Sequence, residues 1–328
     1  MVKDIYGMKI KNEQDRMESQ SGGAFYCMAK NVIHSGGVVY GVILNKKMVV
    51  EYKRGTTIED VRLMKGSKYV QADIGDSFEK VLEDLEKGKR VFFSGTPCCV
   101  SGLLAALKQR KIDITNLVTC DIVCHGVGSP LIFREFIHYI NKGSINNIEH
   151  FKFRDKCKGW HSHIATYCLN GKEKSTDIYA KFYASGNCMR ESCHKCKYAN
   201  YNRNSDITIG DFWGIEKYHP EVDDNKGISL LMVNSKKGAE IFKNIRNEIE
   251  FFESNEKEVS QPQLNYPFSK VDTYDEFWKD YHNHKFKYIV FKYGRGGYKG
   301  IIKNYVKEMT QRVGVYKIIH SILRKTSS

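Results

Sequence analysis

Arg90-Val-Phe-Phe-Ser-Gly-Thr-Pro-Cys-Cys-Val100-Ser-Gly-Leu-Leu-Ala-Ala-Leu-Lys-Gln-Arg110 is the stretch on which the fold turns. Residues 90–94 centre on Val-Phe-Phe, which predicts a short buried strand. Gly95-Thr-Pro-Cys98 makes a tight turn, and 100–110 carries the apolar spacing of a helix. The same grammar returns downstream. Leu117-Val-Thr-Cys-Asp-Ile-Val123 reads as a buried strand, Cys124-His-Gly-Val-Gly-Ser-Pro130 as a loop and 131–141 as a helix. Two strand–turn–helix units in succession predict an α/β fold, a mostly parallel sheet with covering helices, whose ligands bind beyond the strands' C-terminal ends. Cys98 and Cys124 both fall at such ends.

Working outward, Ser19-Gln-Ser-Gly-Gly23 opens a predicted helix over 24–33, and 38–44 is β-branched enough for a buried strand with a partner at 48–52. A short helix at 57–64 runs into the loop Lys65-Gly-Ser-Lys-Tyr-Val-Gln71, and 76–88 is an amphipathic helix. Residues 1–18 show no pattern. Downstream, strands at 149–153, 164–169, 207–209 and 228–233, with a helix at 237–252, predict a second α/β layer. Beyond about 268 the chain turns aromatic and basic, with Gly294-Arg-Gly-Gly297 breaking two helical pieces, so a basic helical C-terminal tail is expected as an appendage. The expected divisions are 1–95, 96–268 and 269–328.

Composition sets the bounds. With 328 residues, 41% hydrophobic and 27% charged, the chain is long enough for about two domains with a proper core. The longest nearly uncharged apolar run, Gly36 to Leu44, is nine residues, against the ~20 a membrane-spanning helix needs. The first twenty residues are charged throughout, so no secretory signal is expected and the default compartment is the cytoplasm. The ten cysteines are then expected to be reduced, and any functional set among them metal-binding or catalytic. Of the net +14, +10 lies in 281–328, where eleven Lys or Arg face a single acid. A basic excess confined to a tail argues against nucleic-acid binding and for contact with an anionic partner or with lipid headgroups at the inner membrane face. Ile301, Ile302, Tyr305, Val306, Met309, Ile318, Ile319, Ile322 and Leu323 recur there at helical spacing, which suits an interfacial helix and equally a helix packed on the protein's own core.

The strongest chemical signal is Cys193-His-Lys-Cys196, because two thiolates three residues apart can face one metal centre. A zinc or iron–sulfur centre usually takes four ligands. Cys98 and Cys124 are the natural complement, while Cys188 would instead make a C-x4-C-x2-C run with the pair. A redox dithiol and inert structural thiols are the competing readings of the pair. Cys27, Cys120, Cys157 and Cys168 lie in helix or strand patterns and read as buried and inert. Ser21-Gly22-Gly23 and Gly66-Ser67-Lys68, flanked by Lys65, offer backbone donors to a phosphate, or are an ordinary helix cap and turn. In Ser205 to Glu216, Asp211, Phe212 and Trp213 leave a strand at a glycine, a place to flank an aromatic ligand. Phe153-Arg154-Asp155-Lys156, with Gly159-Trp160 and His161, offers a guanidinium to an anionic substrate. His125 can donate a proton to a reacting group or simply tie its loop.

These segments, Ser19–Gly23, Lys65–Gln71, Ser94–Cys98, Asp121–Gly126, Phe153–Lys156 with Gly159-Trp160, Cys193–Cys196 and Ser205–Glu216, together resemble the coenzyme F420 hydrogenase/dehydrogenase beta subunits, in order over roughly 19–250. The resemblance implies a flavin- and iron–sulfur-dependent oxidoreductase that uses FAD and a 4Fe-4S cluster between a hydride carrier, coenzyme F420 or similar, and one-electron chemistry. It implies Cys98, Cys124, Cys193 and Cys196 as cluster ligands and demotes Cys188. Ser21, Gly22, Gly23, Lys65, Gly66, Ser67, Lys68, Tyr69, Gly95, Thr96 and Trp213 become candidates for cofactor contact, and His125 and Asp211 for catalysis. Relatives often begin with a Cys-rich ferredoxin-like segment, whereas residues 1–26 here contain no Cys, so an external electron-transfer protein, ferredoxin-like or a hydrogenase/dehydrogenase subunit, is the expected partner. Cys99 stands where the family usually has Gln and Gly128 where it has Pro, which bears on substrate geometry. Such relatives also occur among surface-polysaccharide genes. The alternatives are therefore a polysaccharide-biosynthesis enzyme modifying a nucleotide- or lipid-linked sugar, and a non-catalytic zinc-binding scaffold.

Overall fold

The stretch 90–110 forms strand, turn and helix as expected, and its strand runs through the interior of the larger of two sheets. In chain order the strands are β1 (Asp4–Ile10), β2 (Val38–Leu44), β3 (Val50–Gly55), β4 (Val91–Gly95), β5 (Leu117–Ile122), β6 (Ile148–Asp155), β7 (Ile164–Leu169), β8 (Lys172–Thr176), β9 (Ile207–Asp211), β10 (Ser229–Val233) and β11 (Ile249–Ser254). The helices are α1 (Glu13–Glu18), α2 (Ala24–His34), α3 (Ile58–Met64), α4 (Ser77–Glu86), α5 (Pro97–Gln109), α6 (Pro130–Ile140), α7 (Ile178–Ala184), α8 (Ile215–Tyr218), α9 (Lys236–Ile245), α10 (Tyr274–Asn283) and α11 (Phe286–Ile289). The structure, a computed structural model, describes residues 4–142 and 148–298, with 300 and 302.

The larger sheet has the order β11-β1-β10-β9-β5-β4-β2-β3. Strands β2, β4, β5 and β9 are mutually parallel and form its heart. Antiparallel strands extend it on both flanks, β10, β1 and β11 beyond β9 and β3 beyond β2. All five residues of β4 are buried because helices cover both faces. Phe92 packs with Met28, Val32 and Ile241 from α2 and α9, while Val91 and Phe93 pack with Val81, Val100 and Leu103 from α4 and α5. β2 divides the same way, Val39 and Ile43 to one core and Val38 and Tyr40 to the other. The expected α/β architecture is therefore present, with its parallel units at the centre.

Several expectations change. Residues 1–18, read as unpatterned, form β1 and α1, and β1 lies between β10 and β11. Its apolar residues serve opposite faces, Ile5 in one core and Met8 and Ile10 in another, so no single stripe shows. The helix expected over 237–252 stops at Ile245. Arg246–Glu248 turns, and Ile249–Ser254 becomes the edge strand β11. The second layer divides: β6, β7 and β8 make a separate antiparallel sheet, while β9 and β10 return to the large one. β8, Lys-Glu-Lys-Ser-Thr, is an exposed polar edge without apolar signal. The region after 268 contributes Phe277, Ile289 and Val290 to the core beneath this small sheet. The apolar stripe of the tail lies outside the described residues, apart from the exposed Ile302. Among the described residues, no helix is long and apolar enough to cross a membrane.

Candidate functional site

Beyond the C-terminal ends of β4, β5 and β9 lies a cavity of about 970 Å³, at the upper end of the range for ligand pockets. Most of the sequence candidates line it: Ser21, Gly23, Lys65 to Tyr69, Gly95, Thr96, Cys98, Cys124, His125, Cys193, Asp211 and Trp213. Gly22 and Cys196 do not.

The thiols arrive from three directions. Cys98 lies in the first turn of α5, exposed, with its Sγ 3.2 Å from the Thr96 hydroxyl. Cys124 follows β5 and accepts the Gly126 N–H at 3.4 Å. The segment bearing Cys193 and Cys196 is tied to that loop by Ser129 N–H to Cys188 O, Arg190 N–H to Val127 O and the bridge between Gly128 and Met189. Burial pushes the Cys124 thiol up to about 12, and the nearby Cys98, Cys193 and Cys196 push it the same way. The Cys193 thiol is raised too, by burial first. Among the described residues no three His, Cys, Asp or Glu converge as on a single ion, where tetrahedral thiolates would stand only about 3.8 Å apart. Cys188 is fully buried in the core beside Tyr179. Cys27, Cys120 and Cys168 are buried as expected, whereas Cys157 is exposed in the turn after β6.

The same cavity has an aromatic and cationic part to its wall. Trp213 stacks on Trp160 with centroids 4.9 Å apart and planes 8° off parallel, and the Arg154 guanidinium lies 4.8 Å over the Trp213 ring. Arg154 Nη1 donates to Asp211 at 2.6 Å, Trp160 Nε1 to the other Asp211 oxygen at 3.0 Å, and Arg154 Nη2 to the Trp160 carbonyl. Both carboxylate oxygens of Asp211 are thus occupied, and the residue anchors Arg154. Register shifts in β6 around Lys152 bury Phe153 and Arg154 consecutively, which plain strand alternation forbids. His125 lines the same wall, and burial lowers its pKa, leaving the ring neutral at pH 7.

The loop candidates behave differently from one another. Ser21 donates its hydroxyl to Ile228 O at 2.5 Å, and a Cβ on Gly22 would stand 2.1 Å from Met8 O, so these two residues fasten the loop to the sheet. Gly23, at φ +89°, starts α2, whose uncapped first turn reaches the cavity. Lys65 pairs with Asp15 at 2.7 Å and Glu18 at 3.0 Å and lies over the Tyr26 ring. Lys68 donates to the carbonyls of Leu63, Met64 and Lys65, and its pKa is pulled down to about 7 by burial. Tyr69 meets Tyr183 at 4.6 Å between centroids and Phe153 edge-on. At Gly95 a Cβ would stand 2.2 Å from the Tyr52 hydroxyl, so glycine lets that hydroxyl sit beside the thiols. Tyr52, Tyr183 and Gln20 are wall residues that sequence reasoning missed. The first lies on a strand and the second on a helix, where nothing but three-dimensional proximity marks them.

A family profile for the C-terminal part of the coenzyme F420 hydrogenase/dehydrogenase beta subunit matches residues 88–258. Among solved structures, a chain of the xenon-derivatised F420-reducing [NiFe] hydrogenase complex from Methanosarcina barkeri superposes with a TM-score of 0.53 at 15% identity, over 76% of this chain and 82% of that one. That likeness is one of fold. No curated protein matches the sequence.

Proposed function

The chain belongs to the coenzyme F420 hydrogenase/dehydrogenase beta-subunit family, and from that premise we propose that it is a flavin- and iron–sulfur-dependent oxidoreductase working between a hydride carrier, coenzyme F420 or similar, and an external one-electron partner. The observation that carries the reading is that Cys98, Cys124 and Cys193 line one cavity with Trp213 and Arg154, with Cys196 one 3-10 turn beyond Cys193. FAD would supply both hydride and single-electron exchange, and a 4Fe-4S cluster single-electron exchange alone.

The chain's own residues then have defined tasks. The four thiols would hold the cluster, with the Gly126 N–H donating to Cys124 Sγ and the Thr96 hydroxyl beside Cys98 Sγ. Trp213 and Arg154 give a planar, cationic surface for a ring system to lie against, kept in place by Asp211 and Trp160. Neutral His125 can accept or return a proton at the cavity wall. Tyr183 donates to Gly126 O and so stiffens the Cys124 loop. Cys98, exposed at the start of α5, marks the side from which a partner protein reaches the cluster.

The test is the spectrum of anaerobically purified protein with iron, sulfide and flavin measured on the same sample. About four irons and about one flavin per chain are expected. Cys193→Ser should lose the iron while Cys168→Ser keeps it. Equal iron in both variants, or a colourless protein after reconstitution, rules the reading out, and zinc in its place would point to a scaffold.

A further inference from the structure

We propose that Lys156 is a positioning residue: its buried side chain holds the segment 16–21, on one side of the large cavity, in fixed register with the Trp160–Trp213–Arg154 wall that, on the function proposed above, carries a ring system.

Lys156 follows β6 and is 8% exposed. Its Nζ donates to carbonyls on three separate segments: Arg16 O in α1 at 2.9 Å, Ser21 O before α2 at 2.8 Å and Lys226 O before β10 at 2.6 Å. Burial pulls its pKa down to about 7, but only the ammonium has a donor for each of the three carbonyls. Arg16, a second buried cation, extends the knot. Its guanidinium meets both oxygens of Asp224 at 2.7 Å and donates to Gly227 O at 3.0 and 2.9 Å, so the loop 223–227 is held from two sides.

That loop in turn fixes Trp160. Asn225 O accepts the Trp160 N–H at 2.8 Å. A Cβ on Gly227, at φ +100°, would stand 3.0 Å from both Ser21 Cα and Trp160 Cδ1, so glycine lets the rim segment, the loop and the indole meet at one point. Trp160 is fully buried, stacks on Trp213 and donates to Asp211, which anchors Arg154. Gln20, Ser21, Trp213 and Arg154 line the large cavity, whereas Lys156 and Trp160 do not. Lys156 therefore acts through other residues. An apolar side chain of similar length would avoid the cost of burying a cation, but it could not make three carbonyls from three segments converge on one point, and it would leave them without a donor.

Of the three tryptophans, Trp160 and Trp213 stack face to face, so exciton-coupled circular dichroism of the whole chain reports their register, and Trp213→Phe identifies the couplet by removing it. Lys156→Met should cut the couplet by about half or more. Asp224→Asn, a milder loosening at a partly exposed group, should cut it less. Asp84→Ala, which removes a buried acceptor outside both cavities, should leave it whole while destabilising the chain. Titrated with FAD, Lys156→Met should bind about tenfold or more weakly than the unaltered chain, and Asp84→Ala within about twofold of it. A whole couplet in Lys156→Met, or in Asp224→Asn should Lys156→Met not fold, overturns the proposal. So does an equal loss of couplet in Asp84→Ala, or a lost couplet in Lys156→Met with FAD binding unchanged. An unaltered chain that binds no FAD ends the flavin reading instead, and the couplet alone then decides whether Lys156 sets the wall.

Discussion

Asp84 and Asp121 are both buried carboxylates beside an arginine, yet their protons are held very differently. Asp84, on α4 under the β3 flank, accepts from Tyr40 at 2.7 Å, from Arg54 at 2.7 and 3.0 Å and from Lys89 at 3.1 Å. Burial alone would raise its pKa, but these donors bring it down to about 2. Asp121, on β5 just before the Cys124 loop, has Arg203 no nearer than 3.7 Å, and its Oδ1 and all three Arg203 nitrogens lack hydrogen-bond partners among the described residues. Burial there wins over the arginine and pushes it up to about 6. The flank of the sheet is a closed network that serves stability. The end of β5, like Arg154 Nε and Gln20 Nε2 at the cavity, carries polar groups without partners among the described residues. Asp84→Ala should break the first without touching the second, costing about 3 kcal/mol because Tyr40, Arg54 and Lys89 lose their buried acceptor while the two cations keep part of their hydration. Denaturant unfolding would measure the loss. Iron and flavin content in the surviving folded fraction should be unchanged, and their loss would show that the two regions are not separable.

The same contrast has a pH signature of opposite sign. Asp121 has a folded pKa above its unfolded value of 3.8, so its contribution is fully present below pH 3.8 and is lost as pH rises through about 6. The shift amounts to about 3 kcal/mol. Asp84 has a folded pKa below 3.8, so its contribution is present above that value and is lost as pH falls through about 2. That shift is worth roughly 2 kcal/mol. Unfolding free energies at pH 4.5 and 7 for the unaltered chain and for Asp121→Asn isolate the first effect. The variant should lose most of the rise in stability on going from pH 7 to 4.5. Identical slopes would mean that Asp121 is ionised throughout and that Arg203 satisfies it better than its 3.7 Å separation indicates.

What could be read in the sequence follows the same division. The β4 and β5 units were legible because strands buried on both faces are apolar throughout and because Gly95-Thr-Pro97 and Gly128-Ser-Pro130 punctuate them. The thiols and Trp213 were visible because their chemistry is rare. β1 and β11 were not, since their apolar residues divide between faces or alternate too briefly to compete with a helical reading. Lys65 read as an anion donor because nothing in its neighbourhood of sequence shows that Asp15 and Glu18, some fifty residues away, neutralise it. Arg154 was read as a guanidinium for an anion, but its orphaned Nε depends on the irregular register of β6 and on which acceptors the fold brings near. Charge is written in a sequence. Its cancellation is a property of the folded chain.

The smallest expected effect sharpens the comparison at the level of backbone. Gly66 lines the candidate cavity, whereas Gly22 lies behind it, in a loop fastened to the sheet. A Cβ at Gly22 would meet Met8 O at 2.1 Å and Ser229 N at 2.6 Å, backbone atoms that cannot step aside. A Cβ at Gly66 meets nothing within 4 Å, so the cost of Gly66→Ala comes only from its φ of +79°, about 1 kcal/mol. In thermal denaturation Gly66→Ala should therefore melt only a few degrees lower, on the order of 2–4 °C, with Gly22→Ala far below it. If the two variants fell equally, the loop 65–69 would be part of the packed fold rather than an open rim of the cavity.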